Sequence, residues 1–155
     1  MPHRAPPARR RGRRGVTLVE LVLVLAVVGI LSGLAVPPLA ALRDRLAVEA
    51  AARRIVALHQ SGRVAAVLRS RTVVFTLSPD ALALGALVAG DTLPLARVPG
   101  PAADGVTLTG PKHPIVWSPT GFAAGVSNGT WHLTRGAAAR DVIVSRLGRV
   151  RVVRP

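Results

Sequence analysis

One acid in this chain stands where acids are costly. Glu20 lies inside an otherwise uncharged apolar run that reaches residue 42. A carboxylate within a bilayer costs about 2.5–3.5 kcal/mol on insertion scales, so its presence signals a role. A second group is basic: Arg146, Arg149, Arg151 and Arg154 fall within nine residues. If 149–153 is a strand, Arg149 and Arg151 project from one face, roughly 6.6–6.8 Å apart, and Val150 and Val152 face the core. Two guanidiniums on one face suit phosphate, because arginine presents a planar fork of donors. His3, His59, His113 and His132 lack metal-ligand spacing and read as surface or partly buried residues. Ser61, Ser70, Ser118 and Ser127 have no acid–base partners suggestive of a triad, and the Gly-Pro segments do not follow a strand-to-helix phosphate loop. No catalytic residue, cofactor or metal site is expected, and the chain reads as a non-enzyme.

Composition narrows the classes further. At 155 residues the chain has room for one small domain. Half of its residues are hydrophobic, which excludes generic disorder. The absence of cysteine excludes a disulfide scaffold, a thiol nucleophile and a thiolate metal site. The net charge is +14, with Lys112 the only lysine among 21 basic residues. The aromatics are Phe75, Trp117, Phe122 and Trp131, little material for a base-stacking platform. The core must therefore be aliphatic.

The elements that position these residues begin with a basic head. Residues 1–15 hold six arginines and no acid, so the rest of the chain carries +8. Residues 21–42 contain no charge. As a helix they extend roughly 33 Å at about 1.5 Å per residue, enough for a hydrocarbon core about 30 Å thick. A secretory signal peptide, a plain membrane anchor and a specialised leader all begin this way. Glu20 separates them, because neither of the first two uses an acid there, and the run exceeds an ordinary secretory h-region of about 7–15 residues. The arginines place the N-terminus in the cytoplasm. Pro37-Pro38 is expected to interrupt the helix.

The string Arg14-Gly15-Val16-Thr17-Leu18-Val19-Glu20-Leu21 resembles the leader of type IV pilins and type II secretion pseudopilins. Val16 stands where that family most often has phenylalanine. The resemblance implies cleavage between Gly15 and Val16 by a prepilin peptidase, then N-methylation of Val16. It also makes Glu20 the acid that serves assembly. The new α-amine, with a reference pKa of about 8, would be mostly protonated. Glu20 of one subunit would pair with Val16 of the next and set register, a task buried ion pairs do better than adding stability. The alternative is that Glu20 only complements the helix N-terminus.

Residues 43–71 read as a continuation of the helix. Val48, Ala51, Ile55, Leu58, Gly62 and Ala65 form one stripe at helical period, to be packed on the chain's own sheet. Arg45, Glu49 and Arg53 are spaced by four for mutual support. Strands are expected over 72–77, 82–88, 115–117, 130–133, 142–145 and 149–153, with Leu147-Gly148 as a hairpin turn. Residues 93–114, rich in Pro and Gly, read mostly as loop with a short strand near 106–108.

Ile115-Val116-Trp117-Ser118-Pro119-Thr120-Gly121-Phe122, then Val142-Ile143-Val144-Ser145 and Gly148-Arg149-Val150-Arg151, look like the GspH/FimT domain. The expected fold is α+β: a long N-terminal transmembrane helix, pilin-like, followed by an antiparallel β-sheet domain. The expected organisation is a leader over 1–15, an assembly helix over 16–42, its periplasmic continuation over 43–71 and a β domain over 72–155. The resemblance implies a minor pseudopilin of a type II secretion system, non-catalytic, in the inner membrane and then in a periplasmic pseudopilus. The alternative is a FimT-like minor type IV pilin that binds DNA through its basic tail, with Arg149, Arg151, Arg146 and Arg154 as contacts. An unprocessed single-span membrane protein is a third option. Implied partners are other pilins or pseudopilins, the prepilin peptidase, the inner-membrane assembly platform, membrane lipid and, in the alternative, DNA.

Overall fold

The computed structural model describes residues 15–155; the arginine-rich head, all but its last residue, lies outside them. Two compact units are distinguished, Met1–Pro37 and Pro38–Pro155. A single helix, α1, is assigned over Leu18–Arg69. Its start is set by Thr17, whose Oγ1 accepts the Glu20 N–H at 3.2 Å while its carbonyl accepts the Leu21 N–H at 3.1 Å. That is N-capping: a short side-chain oxygen satisfies a donor that has no partner within the helix.

The expected interruption at Pro37-Pro38 is corrected, because α1 is helical through both residues. Each proline deletes one N–H donor, but bonds on either side can hold the turn together, so the helix need not end. Among the described residues no helix is long and apolar enough to cross a membrane. The uncharged run of the sequence includes residues 34–38, whose side chains lie outside the description.

In the unit Pro38–Pro155, α1 packs on two antiparallel sheets. The first contains β1 (Val73–Leu77), β2 (Ala81–Val88), β3 (Asp91–Pro99), β5 (Ile115–Trp117) and β6 (Ala123–Ala124), in the order β3-β2-β1-β5-β6. The second contains β4 (Thr107–Thr109), β7 (Gly129–Arg135), β8 (Ala138–Val144) and β9 (Val150–Val153), in the order β4-β7-β8-β9. A short 3-10 helix, Pro101–Asp104, precedes β4.

The helical stripe packs inward as its spacing predicts. Val48, Ala51 and Ile55 are buried with Ala52 and Ala66, against Phe75, Leu82, Ile115, Trp117, Trp131, Leu133 and Val142. Small residues on the helix let the sheets approach closely. At Gly62 a Cβ would come within 2.9 Å of the Leu84 side chain and 3.3 Å of the Trp117 ring. The expected Arg45–Glu49–Arg53 ladder forms only in part. Arg53 Nε reaches Glu49 Oε1 at 3.2 Å, whereas the other Glu49 oxygen takes Arg140 Nε of β8 at 3.1 Å.

The region read as loop begins inside a nine-residue strand, β3, paired with β2 from Ala81↔Pro99 to Val88↔Asp91. An edge strand has one side without a ladder partner, where proline's missing donor is tolerated; Pro94 and Pro99 therefore misled the sequence reading.

Candidate functional site

Two places hold residues with chemistry. In the first, Gly15 and Val16 lie exposed ahead of α1, and Glu20 is exposed in its first turn. Thr17-x-x-Glu20 has the capping-box pattern, a local signal the sequence reading missed. Among the described residues no cation reaches the Glu20 carboxylate.

The second place is built on Trp117, fully buried at the end of β5. His59 of α1 meets its ring edge-on at 4.8 Å between centroids, and Arg63, one helical turn on, lies 5.9 Å from the ring centroid. Two similar turns close around it. In Ser118-Pro119-Thr120-Gly121, the Gly121 N–H donates to the Ser118 carbonyl at 2.9 Å, and the Ser118 N–H donates to the Phe122 carbonyl at 2.9 Å. In Ser145-Arg146-Leu147-Gly148, the Gly148 N–H donates to the Ser145 carbonyl and the Ser145 N–H to the Arg149 carbonyl, both at 2.9 Å. Both glycines are left-handed, with φ of 78° and 76°. They are needed for space as well: a Cβ on Gly121 would meet Val67 of α1, and one on Gly148 would strike the Trp117 ring.

These turns deliver side chains to one groove of about 630 Å³, lined by Arg63, Phe122, Ile143, Ser145, Leu147, Arg149 and Arg151. Three guanidiniums converge there without an acid in the lining. Among the described residues none of the three has an ion-pair partner, whereas Arg53, Arg54, Arg135 and Arg140 do. The structure thus brings Arg149 and Arg151 together and adds Arg63, which the sequence reading missed because it comes from a helix 86 positions before Arg149. It does not bring in Arg146, exposed in its turn, or Arg154, which lines a different hollow with Arg45 and Arg140. The strand β9 begins at Val150, so Arg149 belongs to the turn. Val150 packs on the core as expected, but Val152 is exposed, because β9 is the outer strand of its sheet.

The histidines separate in space. His132 Nδ1 lies 2.8 Å from Asp141 Oδ1 across β7 and β8, and His113 stands edge-on to Trp131. His59 corrects the surface reading, since it is fully buried and neither ring nitrogen has a partner. Burial lowers its pKa from 6.5 to about 4, and the nearby Arg63 charge acts in the same direction. Among the described residues no cluster of three or more His, Cys, Asp or Glu could hold a metal.

The family described as Type II transport protein GspH matches residues 51–148, most of the unit that carries this groove. The chain belongs to the GspH family. The prokaryotic N-terminal methylation motif matches residues 10–36, which include Gly15, Val16 and Glu20. Pilin-like protein PilA1 of Thermus thermophilus is 32% identical over 156 residues, covering 90% of this chain and 98% of that protein. In fold, the GspH-family chain resembles the type IV minor pilin FimU of Pseudomonas aeruginosa. Two crystal forms give TM-scores of 0.58 and 0.56 at 20% and 19% identity, covering 68% of this chain and 87% and 91% of theirs. The chain is thus pilin-like both in its relatives and in its fold.

Proposed function

We propose that this GspH-family chain is a minor pseudopilin of a type II secretion system. It is cut after Gly15, N-methylated on Val16 and anchored in the inner membrane by residues 16–42, with its β domain in the periplasm. The observation that carries this reading is the order of the two matches along one chain: methylation motif first, GspH domain second. Glu20 serves assembly. Its carboxylate needs a counter-charge in apolar surroundings, and the α-amine of a neighbouring subunit supplies one. Glu20→Gln removes the charge and keeps the shape. The expected outcome is a variant present in the membrane but depleted at least several-fold from sheared or cross-linked filament fractions. Normal incorporation would remove the pairing role. Deleting the chain in its own cell should abolish export of secreted proteins, and restoring it should return export.

A second reading, a FimT-like minor pilin that captures DNA, is favoured by the groove, where Arg63, Arg149 and Arg151 converge unpaired. Phosphate contact predicts binding that weakens steeply with salt and is lost on joint replacement of Arg149 and Arg151 by alanine. Absence of salt-sensitive affinity at low ionic strength would end this reading. Deletion would then spare DNA uptake and stop secretion; under the second reading the reverse holds.

A further inference from the structure

The hollow beside Arg45 of α1 is a second basic site. It measures about 390 Å³ and is lined by Arg45, Arg140 of β8 and Arg154, which follows β9, around the backbone at 137–139. No acidic side chain lines it. Pro155 does, and a carboxylate there offsets only one of the three positive charges. Arg45 and Arg154 are exposed and, among the described residues, have no ion-pair partner. Arg140 donates from Nε to Glu49 and from Nη1 to the Ala139 carbonyl, which leaves Nη2 for another acceptor. The place of the hollow along α1 gives it meaning. Arg43 and Arg45 are the first basic residues after the uncharged stretch 21–42. Arg45 stands about 4.5 Å beyond Leu42 along the axis, at about 1.5 Å per residue. Leu39, Leu42 and Leu46 recur beside it at helical spacing and are 66%, 50% and 61% exposed.

We propose that this hollow binds the phosphodiester headgroup of an anionic phospholipid, whose acyl chains lie along Leu39, Leu42 and Leu46. The inference rests on the reading of residues 16–42 as the membrane anchor, and it names the contact by which the folded unit meets the bilayer surface. Three observations select this occupant. Three guanidiniums around one hollow require an anion, and arginine's planar fork suits a phosphate. The exposed leucines require hydrocarbon, which a soluble anion or a nucleic acid does not offer. A phospholipid carries both in one molecule. An apolar helix from a neighbouring subunit would cover the leucines but leave the cations unanswered. Position agrees as well: an arginine at the edge of an apolar run lays its stem along hydrocarbon and keeps its charged head in the headgroup layer.

The test uses the processed full chain in nanodiscs of phosphatidylcholine, with and without phosphatidylglycerol. Native mass spectrometry counts the lipids that stay on the chain, and amide exchange is read at 136–140 and 150–155. Phosphatidylglycerol should be retained several-fold above its share of the mixture and should slow exchange at those positions. Arg45→Gln and Arg154→Gln should each lower that preference about fivefold. Both residues are exposed, so neither change opens a core contact. Arg97→Gln, on the exposed edge strand β3, should keep the preference of the parent. A preference that survives joint replacement of Arg45 and Arg154 would overturn the inference. So would exchange slowed equally by inorganic phosphate added to phosphatidylcholine discs, which would mark a site for a soluble anion. Equal retention of the two lipids by a chain that stays in the discs would overturn the inference and leave the anchor standing. A chain that does not enter the discs would overturn both.

Discussion

His59 sits edge-on to Phe75 and Trp117 with both ring nitrogens unpartnered. Its folded pKa of about 4 lies below the unfolded 6.5, so between those values the unfolded chain binds a proton that the folded chain refuses. The stabilising contribution is therefore complete above pH 6.5 and is lost as pH falls through 4. It amounts to about 3 kcal/mol. Urea midpoints measured across that window should fall for the parent chain and fall less for His59→Phe. A flat parent profile would contradict the buried, neutral ring. Gly148 makes a second prediction at this scale. Gly148→Val demands a left-handed backbone and a methyl-bearing carbon where the Trp117 ring lies, so unfolding should become easier by several kcal/mol, on the order of 2–4. The sequence revealed the glycine as a turn residue but not its contact, and it misplaced His59. A polar residue type suggested the surface, although position 59 falls between Ile55 and Gly62 on the buried stripe. What decided the matter was the sheet above it, which spacing along one helix does not reveal.

At the scale of elements, ion pairs fasten α1 to the sheets and their connections. Asp44 meets Arg135 at 2.9 Å, Glu49 meets Arg140 at 3.1 Å, and Arg54 meets Asp104 at 2.9 Å. All are a fifth to a third exposed, so each is worth at most about 1 kcal/mol. A double-mutant cycle on Asp44 and Arg135 should give a coupling of that size, shrinking in high salt; a coupling of several kcal/mol would show that the pair is desolvated. The apolar face of α1, strands β1 and β5 and the end of β8 from Val142 were legible, because period and β-branching agree in them, whereas Ala138–Asp141 of β8 gave no such signal. The strand β3 was not, since proline signals a loop unless the strand is known to be an edge. The two-residue β6 carries no periodic signal. Arg135 and Arg140, which hold the helix, were likewise hidden: pairs 91 positions apart depend on topology.

For the whole molecule, the N-terminal methylation motif, the GspH match and a pilin-like fold agree on family membership. The methylation motif was readable in advance, because a basic head before a long uncharged run follows the strict rules that membrane insertion sets on charge and length. The groove was only half readable: Arg149 and Arg151 are sequence neighbours, while Arg63 and Phe122 reach them through folding. The central claim is that a peptidase trims the arginine-rich head and exposes Val16 as a methylated amine for assembly. Intact-mass and N-terminal peptide spectrometry of the chain purified from its own membranes tests it most directly. The account predicts a polypeptide that begins at N-methylated Val16; one that still carries residues 1–15 would contradict it.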